Sequence, residues 1–523
     1  MMLKIKYISL LLILSIMLSA CSNFDLLKKD TPVKAENPND FSFSIDKIAL
    51  SRSYQNTTPK VELINRNNKN SLLISAGLFR SSGVEILDLY REDSTITIQI
   101  KNFEDKSAQL VIPQIWIDIS GISQSDLETM RFNILNENYT PLQISYGIVD
   151  VLNKLNSDMK ISSSSSPSTE LIQMGDKLIW DIKYQNIFDT FSKEIPLINL
   201  NVQVDSNTGS IISSNKSLIS SLVDEGKIFD FIQDYGMLYV KDDSESSYLN
   251  NLWFYDFKEK TKEFYFGTDD QVLSVKFSPD YKNISVITSD GSKNSLFIVQ
   301  VKDKKVLYVN VLNDLSPRIS IWKDKKEVFI LGEPFNSSSK LALYNLDDNS
   351  INIENTFDYN LSSFRYYKDI YLLSELIPEN TNNQLKISID NSDFLRIGKG
   401  SMANIINKEY VVFLNKSENT DCNSIVIHNL KNPENSYTLD NNIINYQIIS
   451  EEKILVIEKH NGGNDYSIYM LDLESKELQE IGKVNSNLVY LDYESELVYV
   501  DLVIPFQSEM SEIIYTIDMK HIK

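Results

Sequence analysis

From about Gly226 to the C-terminus the sequence repeats, and that repeat limits the possible folds more than any other feature. The unit is an apolar strand, a tight polar turn, a second apolar strand, a polar loop, a third strand, a short turn and a last strand. Its first hairpin runs from Ile228-Phe229-Asp230-Phe231 to Met237-Leu238-Tyr239-Val240. It recurs as Val275-Lys276-Phe277 with Ile284-Ser285-Val286-Ile287, and as Ile319-Ser320-Ile321-Trp322 with Val328-Phe329-Ile330-Leu331. Later copies place Ile370–Leu373, Tyr410–Phe413, Ile454–Ile457 and Leu497–Val500 at the same point. The third strand repeats as well, as Leu252–Asp256, Leu341–Asn345, Ile425–Asn429, Ile468–Asp472 and Ile513–Asp518. Its closing Asp or Asn supplies a side-chain oxygen that bends the chain into the next strand.

There are about seven copies at a spacing of about 40–46 residues, the period of a four-stranded propeller blade. A β-sandwich pair or another solenoid is the competing architecture. Phe277-Ser278-Pro279-Asp280 resembles the start-of-blade motif of TolB-like and WD40-like propellers, although the other copies lack it and none has a Gly-His and Trp-Asp pair. The last copy carries three strands. The segment 216–223 aligns with fourth strands such as Lys262–Phe266, and is expected to complete the last blade and remove an open edge.

Two regions precede the repeat. Residues 41–122 read as a small β domain. Thr95-Ile96-Thr97-Ile98-Gln99-Ile100 alternates as a half-buried strand does. The stretch Leu72–Ile119, with Gly77, Ser82-Gly83 and Pro113, resembles the small β domain of protease-complex inhibitors; a generic sandwich accounts for the same residues. Residues 123–213 read as an α+β domain. Helices are expected over 126–133 and 141–155, the latter because Ile144, Ile148, Val151 and Leu155 make one apolar face. Two strands follow, Lys177–Tyr184 and Ile198–Asp205. Trp180, Tyr184 and the segment Val204-Asp205-Ser206-Asn207-Thr208-Gly209-Ser210-Ile211-Ile212 resemble a PepSY-type domain. The insertion Ile187–Ile195 departs from the compact family pattern. The resemblance implies extracytoplasmic interaction and peptidase inhibition. Asp205–Gly209 also has the look of half a calcium loop, but lacks the later bidentate Glu, so a hairpin turn is the expected reading.

The start of the chain is a tripartite export signal. Lys4 and Lys6 supply charge, Tyr7–Met17 is apolar, and Leu18-Ser19-Ala20-Cys21 follows. The apolar stretch is short of the roughly 20 residues a spanning helix needs. The tetrapeptide resembles the lipobox of bacterial lipoproteins. That resemblance implies cleavage before Cys21, a diacylglyceryl thioether on its sulfur, and further acylation such as palmitate. The alternatives are an ordinary signal peptide with a chance Cys, or an uncleaved anchor. Residues 21–40 are polar, with Pro32 and Pro38, and read as a tether to the outer face of a cytoplasmic membrane. The excess of Asn, Ile, Lys and Ser points by association to an AT-rich, Gram-positive source.

A net charge of −21 argues against nucleic acid as a partner, because phosphate binding needs concentrated Lys and Arg. It also leaves membrane attachment to acyl chains. Cys422 lacks an internal disulfide partner, and no base stands near it in sequence; an incidental surface Cys is the expected reading. His428, His460 and His521 have no ligand spacing. There is no nucleophile elbow, phosphate loop or dinucleotide fingerprint. Asp242-Asp243, Asp269-Asp270 and Asp347-Asp348 read as turn chemistry, with cation binding or action on a sugar as the sharper alternative. Trp253, Trp322, Tyr366 and Tyr367 read as blade core.

The sequence therefore predicts a mainly β chain: a seven-bladed C-terminal propeller behind a small β domain and an α+β PepSY-like domain. It predicts a lipid-anchored, non-enzymatic binding, scaffold or regulatory module. Its loops would meet an envelope protein, a peptide or a wall component, with no cofactor, no metal and no catalytic residue. The alternatives are an extracellular hydrolase or lyase on the propeller face, and a solute-binding lipoprotein.

Overall fold

The computed structural model describes residues 41–522, apart from 67–68, 162–166, 190–191, 193–195, 243–245, 335–336, 379, 418–421, 461–465 and 507–508. Cys21, the export signal and the tether lie outside the described residues. The chain is mainly β and divides into two compact units, one of residues 41–161, 167–185 and 199–217, the other of 186–198 and 218–522.

In the first unit, a five-stranded sheet is built on Gln109–Ser120, which pairs with Ser42–Ser51, Lys69–Ser75 and Phe79–Ser81. A three-stranded sheet lies over the same core: Leu72 and Ile74 on one side meet Ile96, Ile98 and Ile100 from the other. The alternation at 95–100 thus puts every Ile inside. Residues 126–133 differ from expectation. Only Gln124–Leu127 is helical, and Arg131–Asn136 is a strand running parallel to Thr95–Phe103. Phe132 and Ile134 alternate with polar residues and pack on the sandwich core, so tertiary pairing overrides the local helical pattern.

The second helix also starts later than its apolar face suggests, at Ile148, and ends at Met159. Residues 141–146 are held by other partners. Leu142 N–H donates to Leu78 O at 2.6 Å, and Ser145 and Tyr146 N–H both donate to Ser206 O. Val151 and Leu155 are the buried side chains of this helix. The neighbouring sheet has the order Ile211–Leu218, Leu197–Asp205, Lys177–Phe188, Ser168–Met174. Trp180 is buried and its indole N–H donates to Tyr146 O at 3.0 Å. Asp205 closes its turn by accepting from Asn207 N–H at 2.9 Å and Thr208 N–H at 3.1 Å, with Gly209 at φ +65°. The oxygen that a calcium loop would use is engaged in the turn.

The second unit is a propeller-like succession of antiparallel sheets. The first repeat sheet starts at Lys227–Ile232, the second at Gln271–Phe277 and the third at Pro317–Trp322, each with four strands. The fourth has seven strands, from Leu361–Tyr367 to Tyr437–Leu439, because the long strand Leu395–Ile405 ends one meander and begins the next. The fifth starts at Ile443–Ile448. The sixth takes Val489–Asp492, Leu497–Phe506 and Glu509–Asp518, and its fourth strand is Ser220–Glu225 from the start of the unit. Within the expected 216–223 segment, residues up to Leu218 belong instead to the strand Ile211–Leu218 of the first unit's sheet.

The core is a series of clusters; one lies within the seven-stranded sheet and the others are each shared by two consecutive sheets. Val240 and Phe254 of the first meet Val275 and Ile284 of the second. Ile298 meets Val328, Phe329 meets Phe364, Val412 meets Tyr446, and Leu455 meets Val498 in the same way. Tyr499 and Ile514 of the sixth sheet meet Met237 and Tyr239 of the first. Each apolar strand is thus buried on both faces, which is why the repeats read as continuous runs rather than strict alternations. Among the described residues no helix is long and apolar enough to cross a membrane.

Candidate functional site

Polar side chains on the strands that open the repeat sheets, and on strands beside them, hydrogen-bond from one sheet to the next. A backbone irregularity recurs on these opening, or entry, strands. The register between entry strand and second strand shifts at Ile228/Asp230, Val272/Ser274, Pro317/Ile319, Leu361/Ser363 and Ile443/Asn445, the same place in five sheets. Such a bulge adds an unpaired residue and re-aims its side chain.

Of the skipped residues Phe229, Leu273, Arg318, Ser362 and Ile444, Arg318 is polar and reaches the next sheet, where it is joined by other polar groups on the entry strands and their neighbours. Asp230 accepts from Phe277 N–H at 3.1 Å and from Lys276 Nζ at 2.5 Å. Trp322 Nε1–H donates back to Lys276 O at 3.0 Å. Arg318, the extra residue of its bulge, donates to Leu361 O at 2.6 Å and Ser362 O at 3.0 Å. Arg365 Nε–H donates to Asn404 Oδ1 at 2.6 Å, and Asn404 Nδ2–H donates to the Tyr446 hydroxyl at 3.0 Å. Gln447 exchanges two bonds with Leu491, accepting its N–H at 2.7 Å. Asp501 closes the circuit by accepting Ile228 N–H at 3.1 Å. Among the described residues, these latches accompany the apolar clusters between neighbouring meanders.

Burial sets the electrostatics. It pushes the Asp501 carboxyl up to about 6, against the hydrogen bond from Ile228. It lowers the affinity of Arg318 and Arg365 for their protons, with Glu333 opposing this at Arg318. The Tyr446 hydroxyl is raised by burial too. At the end of the last entry strand, buried Asp492 accepts from Ser495 Oγ at 2.5 Å. Burial, and then the adjacent carboxyl of exposed Asp234, raise its affinity for a proton. Near the same end of the first two sheets, Tyr235 stacks on Tyr281 with ring centroids 4.5 Å apart.

Asp243 lies outside the described residues, as Cys21 does; among the described residues, those singled out in the sequence are not brought together. Cys422 is exposed and forms no disulfide. His428 Nδ1 lies 3.3 Å from Ser436 Oγ, and His460 Nε2 lies 2.6 Å from Ser467 Oγ, on different sheets. His521 sits in a short 3-10 turn. Asp269 accepts Leu249 N–H, Asp270 accepts from Thr288, Asp347 pairs with Lys326, and Asp348 accepts Ser350 N–H. Trp322, Trp253, Tyr366 and Tyr367 pack in or against the apolar clusters. Among the described residues no three His, Cys, Asp or Glu side chains are grouped to hold a metal ion. Sequence reasoning missed Arg318, Arg365 and Asp501. The available signal was a charged residue inside an apolar strand run, as in Val498-Tyr499-Val500-Asp501-Leu502-Val503.

No protein-family model and no curated protein matches this sequence. Solved structures resemble it in part. An oligogalacturonate lyase from Vibrio parahaemolyticus aligns at 10% identity and TM-score 0.45, over 68% of this chain and 98% of that one. TolB from Acinetobacter baumannii aligns at 10% identity and TM-score 0.35, over 77% and 96%. The β-propeller domain of the Trilobed protease from Pyrococcus furiosus aligns at 12% identity and TM-score 0.38, over 62% and 100%. At such scores they carry no argument about activity.

Proposed function

We propose that this chain is a lipid-anchored, extracytoplasmic binding module whose second unit is a seven-bladed β-propeller. The seven-stranded sheet counts as two blades sharing Leu395–Ile405, and Ser220–Glu225 closes the last blade. The lipid sits on Cys21 and holds the chain on the outer face of a cytoplasmic membrane. The 123–213 region is PepSY-like and serves interaction. The partner is an envelope protein, peptide or wall component met by the propeller loops. The observation that carries the non-catalytic reading is the circuit of latches: Asp230, Arg318, Arg365, Gln447 and Asp501 are engaged in joining sheets rather than converging on open space. Loops then carry recognition on a rigid scaffold. The anchor is tested by growth with an alkynyl fatty acid. Label on the wild-type chain and none on Cys21→Ala supports it; an unlabelled wild-type chain in the soluble fraction refutes it.

A second reading, a hydrolase or lyase on the propeller face, is favoured by one observation, the adjacent carboxyls of Asp492 and Asp234. A buried carboxyl whose proton affinity is raised beside an exposed acidic side chain is an arrangement that acid and base pairs use. Turnover of a polysaccharide panel abolished by Asp492→Asn would move the assignment to this reading.

A further inference from the structure

A groove of about 670 Å³ in the first unit borders strand Ser168–Met174, which is the edge of its sheet. Ligand clefts have volumes of this order. Six consecutive residues of that strand, Ser168 to Gln173, line the groove. Alternate side chains of a strand point to opposite faces, so an unbroken run of lining residues means that the strand's edge itself faces the space. Its other edge is already used: Ser168–Met174 pairs residue by residue with Lys177–Lys183. The outward N–H and C=O groups of an edge strand are a template for another strand.

The opposite wall tells what that strand carries. It is formed by Arg52, Tyr54, Arg80 and Ala108–Leu110, with two guanidinium groups and no carboxylate. Arg52 donates to the neutral amide of Gln109. Arg80 donates to Ala108 O at 3.1 Å and lies 3.5 Å from Glu104, which is outside the groove lining. On the strand side Leu171 is buried, and Glu170 and Asp181 carry negative charge, with Lys183 3.3 Å from Asp181.

We propose that this groove takes an extended acidic peptide, which adds as a strand along Ser168–Gln173 and places carboxylates against Arg52 and Arg80. Main-chain bonds would supply affinity without sequence preference, and the arginines would select acidic side chains at alternate positions. All the residues of this site belong to the first unit, so it stands whether or not the propeller reading holds.

The test uses the full mature chain and a fluorescent peptide of about eight residues alternating Val or Thr with Glu, long enough to span the strand. Two controls replace Glu by Lys, or N-methylate alternate amides. The proposal expects the Glu peptide to bind by anisotropy and to protect the amides of Ser168–Gln173 from hydrogen exchange. N-methylation should weaken binding about fivefold per blocked amide. Arg52→Glu with Arg80→Glu should weaken it about tenfold or more, while Arg52→Lys with Arg80→Lys retains most of it; matching circular dichroism spectra report that each folds. Equal binding of the Lys peptide, indifference to N-methylation, or no binding of the Glu peptide at about 1 mM would each overturn the proposal.

Discussion

Asp501→Asn isolates the polar latch that joins the last repeat sheet to the first. The Asp501 carboxyl is 3% exposed and accepts Ile228 N–H at 3.1 Å. Burial raises its pKa from 3.8 to about 6. A group that holds its proton more tightly when folded stabilises the fold at low pH. That contribution is fully present below about pH 4 and is lost as pH rises through about 6. The shift is roughly two pH units, and at 1.36 kcal/mol per unit the loss is about 3 kcal/mol. Asn keeps an oxygen to accept from Ile228 but has no charge to develop. Denaturant unfolding of wild type and Asp501→Asn, followed by tryptophan fluorescence, should therefore give curves that nearly coincide at about pH 4. The variant should be more stable by about 3 kcal/mol at about pH 7. Parallel pH profiles for the two proteins would refute the reasoning.

Three further outcomes follow from the same packing. Gly226 lies between the closing strand and the first repeat sheet at φ +123°, and a Cβ there would meet Val240 O at 2.5 Å; Gly226→Ala should cost about 1–3 kcal/mol, read as a lower unfolding midpoint. Phe329 is 2% exposed and meets Phe364 edge-on at 5.3 Å; Phe329→Ala should cost about 3–5 kcal/mol by calorimetry. Val223 is 7% exposed and packs with Ile228, Tyr499 and Ile514. Val223→Asp should release the closing strand, and limited proteolysis should then cut first near that strand rather than at loops common to both proteins.

The repeat was legible because both faces of its central strands are buried, so Met237–Val240, Val328–Leu331 and Ile454–Ile457 stand out as apolar runs. The edge strands that receive or close other sheets were harder to place. Ser220–Glu225 has only Ser220 and Val223 buried, and its apolar content overlaps that of the preceding Ile211–Leu218, so the boundary between the two could be read a few residues early. Arg131–Asn136 was obscured because its partner, Thr95–Phe103, lies more than thirty positions away, beyond any local window. The latch residues carried a signal, a charge inside an apolar strand run, but not their direction: a bulge shifts register by one residue, so the alternation of the strand does not say that Arg318 turns toward the next sheet.

An anchored surface module should meet a defined partner in the envelope. Crosslinking in intact cells of the source organism, followed by affinity recovery of the wild-type chain and of Cys21→Ala, tests this most directly. One defined envelope partner should be recovered with the wild-type chain and lost with Cys21→Ala. Recovery of the same partner in both, or of cytosolic proteins alone, would contradict it.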